Sequence, residues 1–313
     1  MKKYYSIICL ALFSAIIALY SNATPVPKKL KRILFIGNSI TYAGQYVTAI
    51  ETWFTIHYPG KQYEFINVGL PSETVSGLSE DGHANGRFPR PDLHERLARV
   101  LAATKPDLVF ASYGMNDGIY LPFDERRFQK FKDGIIWLHD TVIKSGAKIV
   151  HLTPPIFDEK NGGHTGYAEV LDKYSEWLIG QRYTKKWEVA DIHFPMKKYL
   201  LDHRAKDTSF ALAKDGVHPG EEGHWLMAKQ VLLYLNEDKV ADVASFNDII
   251  STHPNGEKIL QLIAEKQSIM KDAWLTAIKH TRPEMKVGFP LEEAKAKARE
   301  IDEKIKVLVK RTP

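Results

Sequence analysis

Ile33-Leu34-Phe35-Ile36 runs directly into Gly37-Asn38-Ser39-Ile40-Thr41. An unbroken apolar run closed by a glycine reads as a strand buried on both faces. The pattern recurs downstream. Residues near 45–57 read as a helix and Phe65-Ile66-Asn67-Val68 as a second strand. A helix near 92–104 precedes Leu108-Val109-Phe110-Ala111, the third strand. A helix near 124–144, a strand at 148–152, a helix near 167–182, a strand near 187–192 and a final helix near 222–236 follow. Short apolar strands alternating with helices imply a parallel sheet with helices on both faces. The fold class is α/β.

After about residue 240 the texture changes and no further strand is evident. Ile259, Ile263, Met270, Trp274 and Ile278 recur at helical spacing, as do Leu291, Ala294, Ala298, Ile301, Ile305 and Leu308. Arg282-Pro283 through Gly288-Phe289-Pro290 separates the two stripes as a turn. The sequence therefore divides into an α/β body over 28–240 and a helical hairpin over 241–313. The stripes are first of all packing surfaces.

Residues 1–23 carry Lys2 and Lys3, an apolar run from Ile7 to Leu19, and a small-residue exit at Ser21-Asn22-Ala23. These are the parts of a secretory signal, and the run is short for a transmembrane anchor, which needs about 20 residues. Cleavage after Ala23 would remove Cys9, the one cysteine. The mature chain would then have no disulfide, thiol nucleophile or thiolate metal site, and no transmembrane anchor. It is expected outside the cytoplasm, in a periplasm or beyond. The net charge of +5 comes without a basic run interleaved with aromatics, so no nucleic-acid partner is indicated.

Catalytic groups in open α/β sheets gather at the carboxyl ends of the strands. Ser39 follows the first strand, either as a nucleophile presented at the top of the sheet or as the cap of the next helix. The second strand ends in Asn67-Val68-Gly69-Leu70-Pro71 and the third in Tyr113-Gly114-Met115-Asn116-Asp117-Gly118. A free Gly69 N–H and the Asn116 amide are donors that could hold the oxyanion of acyl transfer; both stretches are also ordinary turn chemistry. Asp215-Gly216-Val217-His218-Pro219 lies before the last helix of the body. There His218 could take the Ser39 proton and Asp215 could orient the ring.

Taken together, in this order, the four blocks resemble those of the SGNH (GDSL-like) hydrolase superfamily, which centre on Ser, Gly, Asn and His. Asn38 stands where the family usually has Asp, and Ser72 where it has a second Gly. The resemblance covers residues from about 31 to 237. It implies a three-layer α/β/α, flavodoxin-like fold that works without metal or organic cofactor. It also implies catalytic Ser39, Asp215 and His218, with an oxyanion hole built from Ser39 N–H, Gly69 N–H and the Asn116 side chain.

The chain has 12 histidines, but none falls in a recognised metal-ligand spacing. Between the second block and the next helix lies a polar loop, Asp81 to Arg90. His83, Arg87, Phe88 and Arg90 are its candidates for substrate contact, a solvated loop being the plain alternative. Pro154-Pro155-Ile156-Phe157 could form another wall. Export and this polar loop favour a serine esterase removing small acyl groups, acetyl foremost, from carbohydrate. A lipase or lysophospholipase of the same superfamily, and a non-catalytic glycan-binding protein, are the alternatives.

Overall fold

The computed structural model describes residues 30–310, so the expected export signal lies outside the described residues. Five strands, β1 (Arg32–Gly37), β2 (Glu64–Asn67), β3 (Leu108–Ser112), β4 (Lys148–Leu152) and β5 (Glu188–Ala190), form one sheet. All pairings are parallel, and the order is β2-β1-β3-β4-β5. The chain leaves β1 towards one edge, then crosses to β3 on the other side. The crevice of such a doubly wound sheet opens where the winding reverses, above β1 and β3.

Burial explains why these residues make strands. Ile33 to Ile36 have no exposed surface, and Phe35 faces its register partner Phe110 with ring centroids 5.1 Å apart. The helices are α1 (Ser39–Ala43), α2 (Gln45–His57), α3 (Leu97–Thr104), α4 (Glu125–Lys144), α5 (Glu159–Gly162), α6 (Tyr167–Thr184), α7 (His193–Arg204), α8 (Glu221–Tyr234), α9 (Phe246–Ile250), α10 (Gly256–Ile278) and α11 (Leu291–Lys310). They flank the sheet on both faces. Within that frame α2 packs on α8, α4 on β4 and α6 on β5. No helix among the described residues is long and apolar enough to cross a membrane.

Three details depart from expectation. Residues 92–104 divide into a 3-10 turn at Leu93–Glu95 and α3. The last strand is only Glu188–Ala190. Helix α7 is additional to the expected elements; its Pro195 sits in the first turn, where a missing N–H costs no helical bond.

The two C-terminal stripes do pack together. Ile259 and Ile263 of α10 meet Ile301, Ile305, Leu308 and Val309. The other end of α10 belongs to the main core, through Trp274, Leu275 and Ile278. Helix α10 lies against α2 and the edge strand β2. Gln267 donates to Phe65 O at 3.0 Å and to Glu51 Oε2 at 2.5 Å, while Lys266 bridges Glu51 and Asp302. An uncovered edge strand invites pairing with another chain; here a helix covers it.

Candidate active site

Ser39 opens α1 immediately beyond β1. It does not cap that helix: Asn38 does, its Oδ1 accepting from Ile40 N–H at 3.1 Å. As the first residue of a helix, Ser39 keeps an N–H without an intrahelical acceptor. Its Oγ lies 2.8 Å from His218 Nε2. His218 Nδ1 in turn lies 2.6 Å from Asp215 Oδ2. A carboxylate on Nδ1 requires the proton there, which leaves the Nε2 lone pair for the Ser39 hydroxyl.

The loop carrying Asp215 and His218 is tied down locally. Asp215 Oδ1 accepts the N–H groups of Val217 at 2.9 Å and His218 at 2.8 Å. Partial burial pushes the Asp215 carboxyl up, but those hydrogen bonds and the His218 ring prevail and hold it below the usual range. Gly216 has φ 80°, a left-handed conformation that glycine adopts without strain. Its carbonyl accepts from Asp158 N–H at 2.9 Å. Arg204 pairs with the Asp158 carboxylate, so α7 braces the loop from behind.

The glycine of the second block differs from expectation. Gly69 N–H is not free: it donates to Asn67 Oδ1 at 2.9 Å, while Asn67 Nδ2 donates to Thr41 O at 2.6 Å. Glycine is required there for another reason. A β-carbon on Gly69 would stand 2.4 Å from Tyr42 N and 2.6 Å from the Thr41 carbonyl carbon. The loop after β2 thus presses directly on α1. Ser72, in place of the family's second glycine, has φ 67°.

Asn116 is buried. Its Oδ1 accepts from the Tyr120 hydroxyl at 3.0 Å, and its Nδ2 donates to Glu73 O at 3.1 Å. Those contacts fix the amide orientation and leave a second Nδ2–H. Around it lie groups that sequence reasoning missed. Asp117, fully buried, accepts from Val75, Ser76 and Gly114 N–H at 2.8 Å each. Burial pushes its carboxyl up against the pull of those bonds. Glu73 receives a bidentate pair from Arg96 at 2.6 and 2.7 Å and the Tyr113 hydroxyl at 2.6 Å, with all three side chains buried. Neither Glu73 nor Arg96 stands in a pattern that advertises the pair.

The candidate contact residues are placed unequally. Arg90 is mostly buried, its guanidinium forked onto Glu80 at 2.6 Å and lying 5.2 Å from the Tyr120 ring centroid. It therefore supports the wall that carries Asn116 instead of reaching outward. Phe88 lies between Arg87 and Arg282, at 5.8 and 5.1 Å, and Arg87 is paired with Glu284. His83 packs edge-on against Phe88, and its buried Nε2 has no partner. On the far side Phe157 is buried against Tyr120 and Tyr167, with His164 beside them.

The centre is open. The His218 side chain is 49% exposed and that of Asp215 56%. Such an arrangement can take a proton from the Ser39 hydroxyl and return it to a leaving group.

A sequence model of the GDSL-like lipase/acylhydrolase family matches residues 35–226. Solved structures similar in fold include a gut microbial diltiazem-metabolizing enzyme, at 22% identity and a TM-score of 0.55, covering 69% of this chain and 49% of that one. The chain thus spans about half the length of that enzyme. Another is an acetylxylan esterase from Geobacillus stearothermophilus, at 22% identity and a TM-score of 0.51, covering 66% of this chain and 94% of that one. At these identities the likeness is one of fold. No curated protein matches the sequence.

Proposed function

The chain belongs to the GDSL-like lipase/acylhydrolase family and is a serine ester hydrolase, and from that premise we propose that it removes small acyl groups, acetyl foremost, from carbohydrate outside the cytoplasm. The observation that carries the chemistry is the relay from Ser39 Oγ to His218 Nε2 at 2.8 Å and from His218 Nδ1 to Asp215 at 2.6 Å. In this reading Ser39 Oγ attacks the ester carbonyl while His218 Nε2 takes its proton. Asp215 holds the ring and stabilises the imidazolium. The carbonyl oxygen becomes an oxyanion facing Ser39 N–H and the remaining Asn116 Nδ2–H. Gly69 N–H joins them only by sharing its hydrogen with Asn67 Oδ1.

The intermediate collapses as His218 passes its proton to the departing sugar oxygen, leaving acyl-Ser39. Water then repeats the sequence: His218 deprotonates it, the oxyanion forms again, and Ser39 is released with the free acid. Each step uses these side chains and water. Carbohydrate is favoured over a long-chain lipid by the surroundings. Arg87, Arg282, His83, Glu80 and Phe88 form a polar and aromatic cluster beside the loop after β2, where an acyl chain would need a continuous apolar wall. The half-exposed His218 and Asp215 suit a bulky substrate lying across the cleft, and one fold neighbour is an acetylxylan esterase. Export rests on the pattern of residues 1–23.

A panel of acetylated oligosaccharides beside short- to long-chain acyl nitrophenyl esters tests this reading. The acetylated sugars should be the better substrates, and a serine-reactive fluorophosphonate should label Ser39. Ser39→Ala should lose roughly 10⁶ in kcat, the scale seen when a serine nucleophile is removed. An adduct on another residue, or turnover that rises with acyl length, would overturn it.

A further inference from the structure

The turn between α10 and α11 brings a cation against the loop that follows β2. Arg282 donates from Nε to Pro71 O at 3.0 Å, two residues beyond Gly69. The same loop is fastened to the end of β1, where Leu70 N–H donates to Gly37 O at 2.8 Å. The guanidinium stacks on Phe88 and acts electrostatically on Tyr42 and on His83. Tyr42 is three residues beyond Ser39 on α1.

Its neighbours are neutralised and it is not. Arg87 pairs with Glu284, Arg90 with Glu80, Arg96 with Glu73 and Lys286 with Asp272. Glu284 is also near Arg282, but its ion pair is with Arg87. Among the described residues Arg282 has no ion pair. Of its five N–H groups, one on Nε goes to Pro71 O and one on Nη1 to Pro283 O. Both protein acceptors are uncharged carbonyls, and Nη2 has no partner. Lys271 is a second cation against Tyr42, its Nζ on Tyr42 O at 2.8 Å and 3.8 Å from that ring centroid.

A guanidinium fixed by two carbonyls, backed by an aromatic ring and making no ion pair of its own, can still receive one. Its planar fork matches a carboxylate bidentately, which a point charge does not. We infer that Arg282 forms an anion-reading subsite and takes the carboxylate of a uronic acid residue close to the acylated sugar. The substrate class is then an acylated acidic glycan, and the C-terminal hairpin supplies the group that selects it. This inference rests on the glycan-esterase reading above.

The test compares two acetylated oligosaccharides of equal length, one bearing a uronic acid and one neutral. The wild-type enzyme should prefer the acidic one in kcat/KM by about tenfold or more, the scale of a hydrogen bond to a charged group. Arg282→Ala should bring that ratio close to one, mainly through KM. Arg282→Lys, which keeps the charge, should retain part of it, and about 1 M salt should shrink it. Melting curves of both variants report folding, and the lysine variant keeps the test decisive should the alanine variant unfold. A wild-type ratio of one, or a ratio unchanged in both variants, sinks the subsite while leaving the esterase standing. Hydrolysis of nitrophenyl acetate but of neither oligosaccharide sinks the glycan reading, and the subsite with it.

Discussion

Gly216 and Gly162 meet so closely that a β-carbon on Gly216 would lie 2.4 Å from the Gly162 α-carbon. The contact fastens the loop of Asp215 and His218 to α5 and leaves no room for a side chain on Gly216, while a β-carbon on Gly162 would meet the Phe157 ring at 2.3 Å. Gly216→Ala must push the loop away and also strain a residue at φ 80°. It should lower stability by about 1–2 kcal/mol and depress kcat with it. Thermal melts and steady-state kinetics on one preparation check both; wild-type kcat would show that the contact does not position His218.

Asn116→Ala should lower kcat by about 10²–10³, the cost of one oxyanion donor. Tyr120→Phe removes only the hydroxyl that fixes the Asn116 amide, so its kcat loss should be smaller, about tenfold or less, as for a neutral hydrogen bond. A rise in KM with unchanged kcat in either variant would mark substrate contact instead.

Ser72 holds a left-handed backbone at φ 67°, which costs a residue with a β-carbon about 1 kcal/mol relative to glycine. Ser72→Gly should therefore raise the midpoint of denaturant unfolding with no change in its slope. A lower midpoint would mean that the Ser72 side chain contributes more than its backbone strain removes.

Two buried histidines set an acid limit. Burial lowers His151 to about 3 and His224 to about 4, with the nearby rings of His139 and His218 adding to the effect. Both are neutral in the folded protein, whereas the unfolded chain protonates them near 6.5. The unfolded state therefore binds more protons as pH falls from 6.5 towards 4, and stability drops over that window. At about 1.4 kcal/mol per pKa unit, His224 accounts for up to about 3 kcal/mol by pH 4. His224→Phe should flatten the fall in melting temperature between pH 6.5 and 4; an unchanged slope would place the titration elsewhere.

Deleting residues beyond 250 should lower melting temperature and solubility together. Trp274, Leu275 and Ile278 would leave the main core and β2 would become a bare edge. Sedimentation and calorimetry of the shortened chain check this, and a soluble monomer of unchanged melting temperature would refute it.

The strands and the positions of Ser39, Asn116, Asp215 and His218 were legible because each rests on local information. An apolar run or a turn residue marks each place, and the four blocks in order gave the resemblance from which their roles were carried over. What stayed hidden depends on pairs remote in sequence. Arg96 meets Glu73 across 23 positions, and Arg90 reaches Tyr120 only after the loop folds back. Gly69 shows the same limit in another form. Its presence was legible, but the reason for it is the approach of α1, not a free N–H.

The pairing of Gln267 with Phe65 O spans 202 positions, and that of Arg282 with Pro71 O spans 211. During synthesis, β1, β2 and α1 leave the ribosome long before the segment that seals them. Contacts so distant form late, because the closing loop must first be drawn together. The covering of β2 is therefore completed late, and a polypeptide stalled before α10 would present an open strand to its neighbours.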